Sequence, residues 1–221
     1  MNHPIIRVHQ VEKDYGPTKV LRGVDLTVMP GERLAIRGAS GSGKSTLLYL
    51  LGGLERTQRG VVEVAGKNLA QLDDESLAQY RNTMVGFVFQ FHFLLPSLTA
   101  LGNILLPARI GPHDVAAVEA RARKLAQRLG VSHCLDKWPH QLSGGEQQRI
   151  NIVRALSLKP SLLLCDEPTG NLDSQNSSKV TELLGELAHE YNSTLIVVTH
   201  DDKVASSFER KIVIEDGHIL R

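Results

Sequence analysis

The sequence predicts an α/β fold, with helices packed on a largely parallel sheet. Three observations lead to it. Residues 5–36 contain short apolar runs separated by Gly/Pro turns, as expected of strands. A mostly helical block follows at about 91–158, and strand–helix alternation then resumes. We therefore expect a single domain over 1–221, with a core from about 1–90 and 159–221 and a helical subdomain at about 91–158.

The first half of the chain is expected to supply most of the strands. Turn signals at 15–17 and 30–32 divide its apolar runs, and Asp73 or Asp74 is placed to cap a helix that continues through Arg81. The strands predicted here are Ile5–Val8, Val20–Val28, Leu34–Ile36, Val61–Val64 and Val85–Gln90.

The second half begins with helices and returns to strands. Apolar residues recur at helical spacing over 114–129, and a second helix is expected from about Gly145 to Leu158. After it the sequence predicts a strand at 161–165, a helix at 174–190, a strand at 194–199, and a C-terminal hairpin that turns at Asp216-Gly217. Between these halves, the apolar segment from Phe91 to Pro96 either packs beneath the fold or forms a hydrophobic docking patch.

Composition excludes several classes of function. The chain of 221 residues is 42% hydrophobic and 22% charged with a net charge of +1, which gives no support to nucleic-acid binding. The apolar stretch 91–110 is interrupted by prolines and polar residues, so we expect no membrane span there. Cys134 and Cys165 form no metal or disulfide framework, and their use suits a reducing cytoplasm.

One glycine-rich segment fits the spacing of a phosphate-binding loop. It lies between a predicted strand and a predicted helix, so its backbone N–H groups and the helix dipole are placed to hold an anion. Lys44 supplies a cation for the β- and γ-phosphates, and Ser45 supplies a hydroxyl for Mg²⁺. The sequence therefore predicts a nucleoside triphosphate site at Gly38-Ala39-Ser40-Gly41-Ser42-Gly43-Lys44-Ser45-Thr46.

Two further segments complete a candidate site. Asp166 and Glu167 follow an apolar strand, at the sheet edge where the phosphate loop also lies. Asp166 is suited to bind Mg²⁺, and Glu167 to polarise an attacking water. Ser143-Gly144-Gly145 precedes a helix and is a second anion-ready helix N-terminus.

Taken together, these segments resemble the nucleotide-binding subunit of an ABC transporter over essentially the whole chain. The resemblance implies the fold of a P-loop NTPase with a RecA-like core sheet, an antiparallel β subdomain and an inserted helical subdomain. It also adds four motifs to the segments already described. Segments 38–46 and 162–167 are similar to the Walker A and Walker B motifs, and 142–147 is similar to the LSGGQ signature, with Glu146 in place of the usual glutamine. The other matches are an A-loop tyrosine (Tyr15), a Q-loop glutamine (Gln90), a D-loop (171–173) and a switch histidine (His200).

The resemblance implies an ATPase that uses ATP and Mg²⁺. Glu167, His200 and Lys44 would be catalytic, and Ser45, Gln90 and Asp166 would hold the metal. Two copies would associate head to tail, each ATP lying between the phosphate loop of one and the signature turn of the other. The residues expected to contact the nucleotide are Tyr15, Gly38, Ala39, Ser40, Gly41, Ser42, Gly43, Lys44, Ser45, Thr46, Gln90, Ser143, Gly144, Gly145 and Asp173.

The resemblance also implies membrane partners. The region from Gln90 to Leu106 lies where the family docks its membrane subunits, which favours the docking-patch interpretation. Segments 86–96, 100–104 and 166–173 are similar to the lipoprotein-releasing (LolD-like) and macrolide-exporter (MacB-like) branch. We therefore expect a homodimer at the cytoplasmic face of the inner membrane that drives a separate permease. The alternative is a regulatory ATPase of a membrane complex, of the cell-division type, that moves no cargo.

Overall fold

The computed structural model describes residues 3–170 and 174–220, with side chains in the second range from residue 177 onward. The predicted D-loop, including Asp173, lies outside the described residues. Within these ranges the chain forms two sheets with helices packed around them, so the predicted α/β fold is confirmed. No helix in the described part of the chain combines the length and apolar character that crossing a bilayer requires.

The larger sheet positions the candidate site. Its strand order is β10-β9-β3-β8-β7-β6, and all neighbours pair in parallel except the terminal β9–β10 hairpin. β7 and β8 are buried at every position, as expected of central strands covered on both faces. The strands are β3 Arg33–Arg37, β6 Val85–Val88, β7 Leu162–Asp166, β8 Thr194–Val198, β9 Arg210–Glu215 and β10 His218–Leu220.

The smaller sheet is antiparallel, with order β2-β1-β4-β5. Its strands are β1 Ile6–Tyr15, β2 Thr18–Val28, β4 Arg59–Val64 and β5 Lys67–Asn68. The predicted first strand, which ended at Val8, was too short. The pairing of β1 with β2 shifts register between Val8 and Val11, where Gln10 has a φ of 46°. This bulge breaks the alternation of buried and exposed residues that marks a strand in the sequence.

Seven α-helices lie within the described ranges, and two of them, α3 and the short α7, were missed in the sequence. α3 covers part of the stretch that was interpreted as broken by polar residues and prolines. Thr99 is in fact its N-cap and accepts a hydrogen bond from the Gly102 N–H, while the Asn103 amide donates to the carbonyls of Leu95, Leu98 and Thr99. The helices are α1 Lys44–Leu51, α2 Asp74–Met84, α3 Ala100–Ile110, α4 Val115–Arg128, α5 Gly144–Leu156, α6 Ser174–Glu190 and α7 Asp202–Ser206.

Two apolar clusters cover the two faces of the parallel sheet. Successive residues of β7 alternate between them, so that Leu162 and Leu164 join one cluster and Leu163 and Cys165 the other. The first cluster contains α1 and the antiparallel sheet, and the second contains apolar residues of α3, α4, α5 and α6. The helical block at 91–158 therefore packs against the face of the sheet opposite to α1.

Candidate nucleotide-binding site

The predicted phosphate loop, 38–46, joins β3 to α1. Three of its glycines have positive φ angles, 151° at Gly38, 79° at Gly41 and 105° at Gly43. A Cβ at Gly38 would lie 2.1 Å from the Ile214 carbonyl oxygen, so the loop passes too close to β9 for a side chain there. The buried Ser42 Oγ has no hydrogen-bond partner among the described residues. A buried hydroxyl left unpaired within a glycine loop fits an incoming phosphate.

Lys44 closes the loop on itself. Its ammonium donates to the carbonyl oxygens of Gly38 and Ala39 at 2.9 and 2.8 Å, and the residue is only 7% exposed. Since carbonyl oxygens are weaker partners than phosphate oxygens for a cation, a bound phosphate would compete for these donors. The geometry holds the charge of Lys44 at the mouth of the loop.

The Walker B carboxylate contacts the phosphate loop directly. Ser45 Oγ donates to Asp166 Oδ1 at 2.9 Å, and the Tyr49 hydroxyl donates to Asp166 Oδ2 at 3.0 Å. Burial raises the pKa of Asp166, and the two hydrogen bonds oppose that shift. Burial also raises the pKa of Tyr49 to about 12, so its phenol stays a donor. The hydroxyl and carboxylate oxygens are the hard donors that Mg²⁺ prefers, so Ser45 and Asp166 fit that ion.

Glu167 is held against the end of β8. The His200 N–H donates to Glu167 Oε1 at 3.0 Å, the His200 ring nitrogen Nδ1 lies 2.8 Å from the same oxygen, and Thr199 Oγ1 donates to Oε2 at 3.2 Å. Glu167 also has a left-handed backbone, with φ of 47°. Such strain in a non-glycine residue is maintained only where surrounding contacts fix it, as they do here. The structure therefore brings Glu167 and His200 together.

Gln90 lies near the turn that follows Glu167. A Cβ built on Gly170 would be 3.7 Å from Gln90 Nε2. Gln148, in α5, approaches the same turn and donates to the Pro168 carbonyl oxygen at 2.6 Å while buried. Gln90 is thus close to the Walker B turn.

The signature turn lies at the N-terminus of α5 and is accessible. Ser143 and Gly144 are exposed, and Gly145 is half-buried. The sequence indicated a helix start ready for an anion, and part of it is already bonded within the chain, because Glu146 Oε2 accepts both the Ser143 N–H and the Ser143 hydroxyl at 2.8 Å. Ser143 Oγ in turn accepts the Glu146 N–H at 3.3 Å. These contacts satisfy part of the helix start within the chain.

Tyr15 ends β1 and is 44% exposed, with the Lys13 ammonium 5.1 Å from its ring centroid. The β1–β2 hairpin reaches the phosphate loop, since a Cβ at Gly43 would lie 2.8 Å from the Val20 carbonyl oxygen. An exposed aromatic ring on this hairpin is available for stacking on a base.

α5 also anchors the segment that follows Gln90. Asn151 donates to the Phe89 carbonyl at 2.9 Å, and Arg154 donates to the carbonyls of His92 and Phe93 at 2.8 and 2.9 Å. Burial lowers the pKa of Arg154 to about 10. The helix that begins at the signature turn therefore holds the backbone at 89–93, a link that no local sequence pattern indicated.

The predicted docking segment places several aromatic side chains at the surface. Phe91 and Phe93 are 70% and 64% exposed. Rings at 87 and 89 stack at 5.0 Å between centroids, and the 89–93 pair is edge-to-face at 5.2 Å. Beside them lies a cavity of about 490 Å³ whose lining includes Phe89, Phe93, Leu106, Ile110 and Arg154. This region forms an exposed apolar groove and does not pack wholly beneath the fold.

Sequence reasoning missed several side chains that shape the site. Tyr49, Thr199 and Gln148 hold the Walker B carboxylates or the turn after them. Tyr49 and Asp166 are 117 positions apart, so only the fold brings them together. The one signal available in the sequence was the polar hydroxyl of Tyr49, which interrupts the apolar run of α1.

Comparison with known proteins agrees with this architecture. The protein family described as ABC transporter matches residues 21–170, so the chain belongs to that family. Its fold is that of the ATP-binding cassette, the subunit that binds and hydrolyses ATP. The dimeric structure of the bacterial ABC transporter cassette MJ0796 has a TM-score of 0.92 and 38% identity to this chain, covering 98% of this chain and 97% of the other. A post-hydrolysis state of MJ0796 bound to ADP and Pi has a TM-score of 0.90.

Comparison with curated relatives points to one branch of the family. The lipoprotein-releasing system ATP-binding protein LolD of Cytophaga hutchinsonii is 44% identical over 216 residues, which is 98% of this chain and 99% of LolD. LolD of Geobacter metallireducens is 45% identical over 220 residues, covering 98% of each chain. The predicted resemblance to the LolD-like branch is thereby confirmed.

Proposed function

We propose that this chain is the ATPase subunit of a lipoprotein-releasing transporter and that two copies share each ATP between them. The proposal rests on the observation that two kinds of phosphate-binding group lie in different surroundings within one chain. The phosphate loop meets Asp166 at one sheet edge, while the Ser143 turn is exposed and contacts its own Glu146. A second copy related by a two-fold axis would bring that turn to the nucleotide.

Each site residue then has a role in hydrolysis. Tyr15 stacks on the base, and loop 38–46 surrounds the phosphates with its N–H groups. Lys44 and His200 hold the γ-phosphate, and Glu167 aligns and polarises the attacking water. Ser45 and Asp166, assisted by Gln90, would hold Mg²⁺, which neutralises phosphate charge when bound. Ser143, Gly144 and Gly145 of the partner copy contact the same γ-phosphate, and Asp173 is proposed to contact the nucleotide.

Mixing two inactive variants tests the shared site. Lys44→Ala disables the phosphate loop, and Ser143→Arg blocks the signature turn. In a mixed dimer, the intact loop of one subunit faces the intact turn of the other, so one complete site is restored. We expect ATPase activity above that of either variant alone. The control mixes two preparations of Lys44→Ala, and activity no higher than this control in the mixed sample would contradict a site shared between copies.

The exposed apolar groove is the proposed docking surface for the membrane subunit. It lies near the predicted Gln90–Leu106 region, and Arg154 fixes its backbone to the helix that carries the signature turn. Large exposed apolar patches on soluble domains mark interaction sites. The chain would therefore sit at the cytoplasmic face of the inner membrane, bound to permease subunits.

Capture from detergent-solubilised membranes tests this docking. We expect Phe93→Ser to lose the membrane partner and to keep its ATPase activity, because the contacts of Phe93 within the described part of the chain are with Phe89, Phe91 and Arg154 and with no proposed catalytic group. Leu54→Ser, which changes an apolar side chain that is 44% exposed elsewhere, is the control. A partner with a large periplasmic domain would support lipoprotein release, and a cell-division partner would instead support the regulatory alternative.

A further inference from the structure

Three side chains of different chemistry meet beside the signature turn. His133 and Cys134 lie in a short 3-10 turn, Ser132–Cys134, and Glu146 lies in the first turn of α5. The nitrogen, sulfur and oxygen atoms that they offer all lie within 4.8 Å of one another. Glu146 Oε1 is their common contact, at 3.0 Å from His133 Nε2 and 3.1 Å from Cys134 Sγ.

We propose that His133, Cys134 and Glu146 form a binding site for a borderline-soft divalent cation of the Zn²⁺ type. Imidazole nitrogen, thiolate sulfur and carboxylate oxygen are the three kinds of ligand that Zn²⁺ takes from proteins. Ligand atoms on a tetrahedral zinc lie about 3.3–3.8 Å apart. The two contacts of Glu146 would open by a few tenths of an ångström around the ion, and the His133 nitrogen and Cys134 sulfur, which lie within 4.8 Å of each other, would settle into the same range.

Burial gives the site an inner and an outer side. Cys134 is fully buried, whereas the side chain of His133 is 61% exposed and that of Glu146 is 18% exposed. An ion would enter past His133, reach the thiol, and keep a fourth position for water on the solvent side. Mg²⁺ and Ca²⁺ prefer oxygen ligands, so this donor set selects against the cation proposed for Asp166.

The other carboxylate oxygen is already fixed. Glu146 Oε2 accepts the Ser143 N–H and hydroxyl at 2.8 Å each, which orients Oε1 toward His133 and Cys134. Outer hydrogen bonds of this kind hold metal ligands in position. Lys137 Nζ lies 3.9 Å from Oε1 and is the cation that an entering metal would displace.

Binding must release a proton. Burial raises the pKa of Cys134 to about 11, so the thiol is protonated at neutral pH in the absence of metal. Formation of the metal–sulfur bond breaks the S–H bond and releases that proton to solvent, while the carboxylate is already ionised and the imidazole binds in its neutral form.

The sequence did not reveal this site, because two cysteines 31 positions apart form no metal-binding pattern. Only the fold adds a histidine and a carboxylate to Cys134. The site adjoins Ser143, and its link to ATP depends on the proposed function. Metal binding itself does not, since it is measured without nucleotide.

Cobalt titration of the reduced protein without nucleotide tests the proposal. We expect Co²⁺ to produce a thiolate-to-cobalt charge-transfer band in the near ultraviolet and Zn²⁺ to remove it. Cys134→Ser should lose the band, and His133→Ala should bind Zn²⁺ at least about tenfold more weakly in competition with a chromophoric chelator. The matched controls are Cys165→Ala and His140→Ala, which should retain wild-type behaviour.

Circular dichroism establishes that Cys134→Ser is folded, so that loss of the band reports the ligand. A band that persists in Cys134→Ser, or that disappears in Cys165→Ala, would overturn the assignment. So would a wild-type protein that binds Co²⁺ without a thiolate-to-cobalt band, because the ion would then be held without the sulfur of Cys134. If the wild-type protein binds no Zn²⁺, the proposal is wrong and the cluster serves only as a hydrogen-bonded cap of the helix.

Discussion

Two helices of this protein begin at glycine-rich segments, and their first turns differ. α1 starts at Lys44 after Gly43, and no side chain among the described residues caps it. α5 starts at Gly144, and Ser143 and Glu146 cap it reciprocally. The donors at the start of α1 therefore remain for a phosphate, whereas those at the start of α5 are partly satisfied within the chain.

The surroundings of the two helix starts differ in the same direction. The turn before α1 lies against the parallel sheet, where Lys44 is buried and Asp166 contacts Ser45. Ser143 and Gly144, where α5 begins, are exposed, and the hydrogen bonds of Ser143 among the described residues are with Glu146. The start of α1 thus forms one half of a nucleotide site together with residues of its own chain. The start of α5 would form the other half in the site of a second copy.

The largest effect is expected at the α1 half. Glu167→Gln keeps the shape of the side chain and removes its charge, so turnover should fall about 10²- to 10⁴-fold while ATP still binds. Phosphate release at saturating ATP measures the change. Glu209→Gln, at an exposed position, should leave the rate unaltered. An undiminished rate in Glu167→Gln would remove Glu167 from its proposed role.

The second prediction compares the two halves directly. Lys44→Ala removes the cation of the phosphate loop and should weaken nucleotide binding to the monomer about 10- to 100-fold. Ser143→Ala should leave monomer binding unaltered, because the signature turn would contact only the ATP of its partner. Calorimetry at protein concentrations that keep the chain monomeric compares them. Equal losses in both variants would mean that one chain uses both turns.

The third prediction concerns support for Asp166 within the α1 half. Tyr49→Phe removes the hydroxyl that donates to Asp166 Oδ2 and should raise the Mg²⁺ concentration for half-maximal ATPase activity about tenfold. Tyr80→Phe is the control, since its buried hydroxyl donates to the Leu51 carbonyl instead. If the two variants require Mg²⁺ equally, the Tyr49 contact is only structural.

The smallest effect is expected at the α5 half. Glu146→Ala removes one partner of the reciprocal cap and should lower the free energy of unfolding by about 1 kcal/mol. Urea denaturation measures this change. Glu182→Ala, on the surface of α6, provides a comparison without a capping contact. Equal stability of Glu146→Ala and wild type would show that the cap does not stabilise this helix.

Much of the fold follows from local patterns in the sequence. The helix at 174–190 and the C-terminal hairpin with its Asp216-Gly217 turn are found where they were predicted. Both carry strong local signals, amphipathic spacing in one and a two-residue turn in the other. α3 was missed because Thr99 and Asn103 resemble loop residues until their cap and loop contacts are known.

Some parts of the candidate site could likewise be predicted from the sequence, and others could not. Loop 38–46 and the carboxylates at the end of β7 were recognisable because strand and helix context surround them. Three other features could not be recognised in the sequence. They are the hydrogen bond from Tyr49 to Asp166, the Arg154 contacts with the backbone at 92–93, and the cluster of His133, Cys134 and Glu146. Each joins residues through tertiary packing, which local spacing does not encode.

The most direct measurement of the central claim is the mass of the Glu167→Gln protein in sedimentation equilibrium with and without ATP. If two copies hold each nucleotide between them, this variant should be monomeric without ATP and dimeric with saturating ATP and Mg²⁺, and adding Ser143→Arg should abolish the dimer. A monomer at every ATP concentration, in protein that calorimetry shows to be loaded with nucleotide, would contradict the claim.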